Sequence, residues 1–204
     1  MPDFSYYTLK TKSAGIYKEK GSKFLAFAHP VDTETEIKEK IDAIKLQYFD
    51  ARHHCYAWML GADKKRFRSF DDGEPNHAAG DPILGQIRSR NLTNLLIVVV
   101  RYFGGVKLGV GGLISAYKAA ADDALGKADI IEREVYELVK IIYDHASTAE
   151  VMRLVKVFDL KIVQQNYAEG CMLEAKLALR HKDKFNEKMV LIEALGVPIK
   201  LANQ

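Results

Sequence analysis

Apolar and polar positions change their period several times along this chain, and each change marks an element. "SKFLAFAHPV", residues 22–31, reads as a strand, and "DTETEIKEKIDAIKLQYF", residues 32–49, follows it with helical spacing. Ile37, Ile41, Ile44 and Tyr48 share one face of that helix, with Asp32 the expected N-cap and Thr35 and Glu36 in the first turn. "HCYAWML" at 54–60 is a strand closed by Gly61, and "KKRFRSF" at 64–70 is a polar strand running into the turn "DDGEP", where Gly73 and Pro75 stop regular structure. "PILGQIRSR" at 82–90 reads as a short helix. "NLLIVVVRYF" at 94–103 is nearly continuous in Leu, Ile and Val, which suits a strand covered on both faces. Five glycines then precede "LISAYKAAADDALGKA", residues 113–128, a helix by propensity with Gly126 as its stop.

A second unit begins near residue 130. "VYELVKII" is a strand, and "STAEVMRLVKVF" a helix with Ser147 as N-cap and Glu150 completing a capping box. "KIVQQNY" and "CMLEAKLAL" are strands about a turn at Glu169-Gly170, "KDKFNEKMVLIEAL" is a second helix, and "PIKLA" a closing strand. The resulting order βαββαβ matches a ferredoxin-like sandwich, a fold that hosts too many activities to name one. The expected division is 1–130 and 131–204, with a short, stiff boundary between Gly126 and Arg133.

Composition adds little to the fold and something to the function. With 204 residues and 48% hydrophobic content the chain has enough apolar surface for cores. No run of about 18 apolar residues occurs, and "MPDFSYYTLKTK" lacks the succession of a signal peptide, so a cytoplasmic protein with no membrane partner is expected. Cys55 and Cys171 have no CxxC partner, which argues against a disulfide framework or a cysteine zinc site and for reduced, buried thiols. Residues 131–204 carry 11 of the 30 Lys and Arg and 11 of the 27 Asp and Glu, leaving 19 against 16 in residues 1–130. The positive excess thus lies wholly in the first part, which permits contact with nucleic acid.

Three stretches carry candidate chemistry. Gly104, Gly105, Gly109, Gly111 and Gly112 stand between a buried strand and a helix. Their amides, with Lys107 or Arg101, would cradle a phosphate at the positive end of the helix dipole. The other reading is a chain reversal that needs positive φ and close packing; there is no Walker pattern, and the third glycine of the dinucleotide fingerprint is missing. In "ARHHCYAW", Arg52, His54, Tyr56 and Trp58 face one way along an extended segment and His53, Cys55, Ala57 and Met59 the other, so without a bulge the two histidines do not share one site. Either is a candidate ligand-contacting group or general base, or else a packed histidine. In "SFDDGEPNHAAG", Asp71, Asp72 and Glu74 are oxygen ligands on a turn of the kind Mg²⁺ accepts, and equally a common Asp-Gly turn. His77 beside them would extend a mixed site.

"RHHCYAW", "FDDGEP", "AAGDPIL" and "VVVRYFGGVKLGVGGLISAY", in this order and at these separations, resemble the IMPACT/YigZ family over essentially the whole chain. The resemblance implies an α+β protein. Its N-terminal domain is expected to look like the second domain of a small-subunit ribosomal protein, a four-stranded sheet with helices on one face. Its C-terminal ferredoxin-like domain is expected to look like the last domain of the ribosomal translocase. It also implies a part in translational control, and it places Arg52, His53, His54, Asp71 to Pro75, Arg101, the five glycines and Tyr117 in signature positions. Two departures stand out. His77-Ala78-Ala79-Gly80 replaces the usual Gly-Thr-Ala-Gly, losing a glycine and a hydroxyl. The chain also opens directly on the IMPACT domain, without the extra domain through which eukaryotic members restrain the kinase that senses uncharged tRNA, so that mechanism is not carried over.

The leading expectation is a regulator that associates with RNA, the ribosome or translation factors through the N-terminal domain, with no required cofactor. The first alternative is a metal-dependent phosphate-ester or nucleotide enzyme, with Asp71, Asp72 and Glu74 holding Mg²⁺ and His53 or His54 as general base, Asp72 and Glu74 being further catalytic candidates. The second is a protein-interaction module.

Overall fold

A computed structural model describes residues 4–167 and 170–202. The chain divides into two compact units, Ser5–Arg133 and a second from Glu134 onward that also takes in Phe4.

In the first unit the strands are β1 (Ser5–Leu9), β2 (Ser13–Glu19), β3 (Ser22–Pro30), β4 (His53–Leu60), β5 (Arg66–Phe70), β6 (Leu95–Tyr102) and β7 (Ile130–Glu134); the helices are α1 (Glu34–Gln47), α2 (Gly80–Ser89) and α3 (Gly109–Gly126). Strands β2 to β6 form a five-stranded sheet in the order β2-β3-β6-β4-β5, with β6 at its centre and every pairing antiparallel. Alternation along β4 and β6 sends Cys55, Ala57, Met59, Ile97 and Val99 into a core with α2 and α3. Trp58, Leu60, Leu96, Val98 and Val100 go the other way, onto Ile37, Ile41 and Ile44 of α1. The sheet therefore has five strands and helices on both faces, which corrects the four-stranded, one-faced arrangement implied by the resemblance. The physical reason is legible in β6, whose unbroken Leu-Ile-Val run has apolar side chains to bury on each side.

Several local expectations shift by a few residues. Thr33 caps α1 in place of Asp32: its hydroxyl accepts the Glu36 N–H at 3.2 Å, while the Glu36 carboxylate reaches past the cap to accept the Asp32 N–H at 2.9 Å. Helix α3 begins at Gly109, so Gly109, Gly111 and Gly112 form its first turn rather than a loop before it. Strands β1 and β7, which pair in a separate two-stranded sheet, and the edge strand β2 have no counterpart in the sequence reading. In β2, Gly15 lets α3 lie close, since a Cβ there would stand 2.3 Å from the Ala124 nitrogen.

The second unit follows β8 (Tyr136–Tyr143), α4 (Thr148–Val157), β9 (Lys161–Asn166), β10 (Cys171–Ala178), α5 (Lys182–Ala194) and β11 (Ile199–Leu201). Its antiparallel sheet has the order β11-β8-β10-β9, the strand order of a ferredoxin-like βαββαβ fold. Val151, Leu154, Phe185, Met189 and Ile192 of the two helices pack on Ile141, Tyr143 and Leu173 of one sheet face. The expected Ser147–Glu150 box does not form, because a 3-10 turn at His145–Ser147 precedes α4 and Asp144 accepts the Ser147 N–H at 2.8 Å. Glu169 of the expected turn lies outside the described residues. No helix among the described residues is long and apolar enough to cross a membrane.

Candidate functional site

Antiparallel register sets the geometry at one end of the first unit's sheet. His53 stands opposite Arg101 on β6, and Arg101 stands opposite Phe24 on β3. The turn "DDGE" folds over this row. Arg101 and Glu74, each only 7% exposed, meet at 2.6 Å between Nη1 and Oε1. The same carboxylate oxygen accepts the Tyr117 hydroxyl at 2.7 Å. Beneath it the Cys55 thiol donates to the Asp71 carbonyl at 2.9 Å and lies 3.3 Å from the Tyr117 oxygen. Burial pushes both the Cys55 thiol and the Tyr117 phenol well above their usual ranges, so both stay protonated near neutral pH.

Each carboxylate of the acidic turn is thus committed to its own donors. Asp71 accepts the N–H groups of His77 at 2.9 Å, Ala79 at 3.0 Å and Gly80 at 2.8 Å, fixing the loop that starts α2. Asp72 accepts the His54 N–H at 2.7 Å, and Glu74 holds Arg101 and Tyr117. Among the described residues no group of three His, Cys, Asp or Glu side chains is placed to hold a metal ion. The arrangement of Asp71, Asp72 and Glu74 as three ligands of one Mg²⁺ is not the one this fold adopts. Charge balance gives the reason: a buried guanidinium and three orphan amides claim the oxygens first.

The two histidines separate as the strand period requires. His54 is buried on the α1 side, where its Nε2 donates to the Tyr48 carbonyl at 3.0 Å and ties β4 to the end of α1. A carbonyl only accepts, so the proton sits on Nε2. His53 is partly exposed on the other face, and its Nδ1 donates to the Asp72 carbonyl at 2.9 Å. That leaves Nε2 of His53 as a lone-pair nitrogen on a partly exposed side chain, whereas the lone pair of His54 is on Nδ1, buried 3.8 Å from the Asp72 carboxylate, so of the pair His53 is the one placed to touch a ligand. Arg52, just before it, is exposed.

The glycine stretch splits into two kinds of position. A Cβ at Gly104 would stand 1.9 Å from the Gly21 carbonyl carbon and 2.1 Å from the Ser22 nitrogen, so this glycine packs against the β2–β3 hairpin. Gly104 also donates its N–H to the Ser22 hydroxyl at 3.1 Å. Gly105, Gly109 and Gly111 face open space, the first two with φ of 90° and 71°, while Gly112 sits over the Leu108 side chain. Helix α3 has no side-chain cap and no acidic residue in its first turn. Lys107 is exposed beside it. Arg101, expected to contact phosphate, is instead buried against Glu74, with its Nε unpartnered.

The sequence reading missed the cations that join this end of the sheet from a distant segment. Lys20, at the tip of the β2–β3 hairpin beside Gly21, and Lys23, opposite Tyr102 across β3–β6, are both exposed near Gly104. The signal available was the Lys-Gly pair of a tight hairpin, but its proximity to residue 104 depends on sheet order. The His77-Ala78 departure also becomes clear. His77 adopts φ 64°, where glycine carries no strain, and Ala78 is fully buried, where a hydroxyl would need a partner.

A helix-covered sheet that ends in a buried acid–base brace and a glycine-rich helix start, followed by a ferredoxin-like unit, defines a class of two-unit α+β protein. The sequence profile of the Impact N-terminal domain matches residues 20–125, and the chain belongs to the IMPACT family. It is 31% identical over 185 residues to the IMPACT family member YvyE of Bacillus subtilis, covering 91% of this chain and 85% of that protein. It is 30% identical over 172 residues to the IMPACT family member YigZ of Escherichia coli, covering 83% and 84%. A crystal structure described as that of a hypothetical protein superposes with a TM-score of 0.78 at 26% identity, covering 100% of this chain and 98% of that one.

Proposed function

We propose that the first unit binds the phosphate backbone of an RNA at the end of the sheet where β6 passes into α3, and that the protein acts as an RNA- or ribosome-associated regulator of translation. One observation carries the reading: the first turn of α3 is exposed, uncapped, free of acidic residues and built of glycines with no side chain over the backbone, with Lys107 exposed beside it and Lys20, Lys23 and Arg52 exposed at the same end of the sheet, Lys23 on the α1 face. Helix N–H donors and surrounding cations are the two features by which a protein holds phosphate without reading sequence. The buried Arg101–Glu74 pair has a supporting part in this reading, fixing the strand end from which the loop departs. The cellular setting rests on the family resemblance of the sequence motifs, which implies a part in translational control.

The test is fluorescence anisotropy with a labelled single-stranded RNA of mixed sequence across a salt series. The double variant Lys23→Gln/Lys107→Gln should bind more weakly and lower the log–log salt slope by about 0.7 for each phosphate that it no longer neutralises. Gly111→Val, whose Cβ would meet no neighbouring atom within 4 Å, should weaken binding by obstructing the backbone. Parental affinity and slope in all these variants, or no binding to the parent protein at about 50 mM salt, overturn the proposal.

A further inference from the structure

The second unit is electrically neutral as a whole, yet its charges are not evenly spread. Among the described residues both helices of this unit pack on one face of its sheet and neither packs on the other. Register places Ile142 opposite Met172, with Lys200 on the other side of Ile142; two residues along, Lys140 stands opposite Glu174, and two further, Leu138 stands opposite Lys176. Alternation puts these residues on the open face, because the intervening Val139, Ile141, Leu173 and Ala175 fill the core. Ile142 and Leu138 are 47% and 48% exposed. Among the described residues Lys140, Lys176 and Lys200 have no ion-pair partner, and Glu174 is the acid this register sets among them.

We propose that this open face docks an acidic amphipathic helix of a partner protein, its apolar stripe lying over Leu138, Ile142 and Met172 and its carboxylates meeting the three lysines. Charge complementarity selects an acidic occupant, since Lys140, Lys176 and Lys200, with Lys161 opposite Lys176 on β9, stand against one acid, Glu174, in this register. The aliphatic positions select a helix over RNA. Single-stranded RNA docks on sheet faces by stacking bases on aromatic rings, and Tyr136, the ring at this end of β8, already lies under the Lys161 ammonium, 4.4 Å from its centroid. An amphipathic helix needs the opposite, an apolar strip with charge along its sides. This surface belongs to the second unit alone, and the proposal stands or falls without the phosphate site of the first.

The test places the photo-crosslinking residue benzoylphenylalanine at position 142 of the full chain, expressed in cells, and sequences the crosslinked peptides by mass spectrometry. The adducts should map to protein segments with apolar residues at helical spacing flanked by Asp and Glu. Their yield should fall about tenfold when Lys140→Glu, Lys176→Glu and Lys200→Glu are combined. The milder Lys→Gln triple, which adds no repulsion, should lower the yield about threefold at an unchanged melting temperature. Adducts with RNA, with a second copy of this chain, or with segments lacking that pattern overturn the proposal. So does a yield that ignores the lysines, or the lack of any adduct.

Discussion

The acidic turn and the glycine stretch lie at the same end of one sheet, and the sequence presents them as equally rich in candidate chemistry, yet the fold treats them in opposite ways. In the turn every carboxylate is matched: Asp71 by three amides, Asp72 by the His54 N–H, Glu74 by Arg101 and Tyr117. In the glycine stretch the helix start has no side-chain cap, and a Cβ added at Gly105, Gly109 or Gly111 would meet no neighbouring atom within 4 Å. Polar groups satisfied internally hold structure, whereas donors left open to solvent can be satisfied by a ligand. The contrast assigns bracing to the first region and is what the proposed phosphate site in the second rests on.

The largest effect should come from breaking the brace. Glu74→Ala leaves the Arg101 guanidinium buried without its counter-charge and the Tyr117 hydroxyl without its acceptor, which costs about 3–5 kcal/mol. The melting temperature should fall on the order of 10 °C. Thiol labelling adds a local readout: buried and held protonated, Cys55 should resist iodoacetamide in the parent protein and react in the variant. A variant that melts like the parent and leaves Cys55 protected would show that the turn is not a brace.

Within the glycine stretch itself the contrast recurs on a smaller scale. Gly104→Ala drives a methyl group into the backbone of Gly21 and Ser22 and should destabilise by about 2 kcal/mol or more. Gly111→Ala adds a methyl group in open space inside a helix and should change stability by less than about 1 kcal/mol, in the stabilising direction. Urea unfolding of the two variants measures the difference. Equal losses would mean that both glycines are structural and that the stretch is only a turn.

How much of this was legible in the sequence follows from the range of each interaction. The Leu-Ile-Val run of β6 announced a strand buried on both faces, and the period of β4 separated His53 from His54, because both depend on neighbours along one strand. The βαββαβ order of the second unit was legible for the same reason. The cap of α1 was misplaced by one residue, at Asp32 rather than Thr33, since neighbouring Asp and Thr residues competed locally; Ser147 does stand at the N-cap of α4, but its side chain makes no capping bond there. The commitment of Glu74 to Arg101, 27 residues away, and to Tyr117, 43 residues away, was not legible, because it depends on how the turn folds over the sheet. The same holds for Lys20 and Lys23, brought to the glycine stretch by the pairing of β3 with β6.

The smallest effect sharpens the comparison at the start of α2, where a second carboxylate stands near Asp71 but faces solvent. Asp81 accepts the Ser69 hydroxyl at 2.6 Å and meets the His77 Nδ1 at 2.6 Å, and first the Ser69 hydrogen bond, then His77, holds its carboxyl below the usual 3.8. A depressed value in the folded state means that the ionised form is favoured by folding. Its contribution is therefore complete above about pH 5, and it is lost as the pH falls through 3.8 toward the folded value. The Asp81 side chain is 47% exposed, so solvent screening should keep the whole effect under about 1 kcal/mol. Urea unfolding of the parent and Asp81→Asn from pH 3 to 7 should show a small, constant gap at neutral pH that closes in acid. A gap that widens in acid, or one as large as that for Glu74→Ala, would erase the distinction between a buried carboxylate that organises the fold and an exposed one that decorates it.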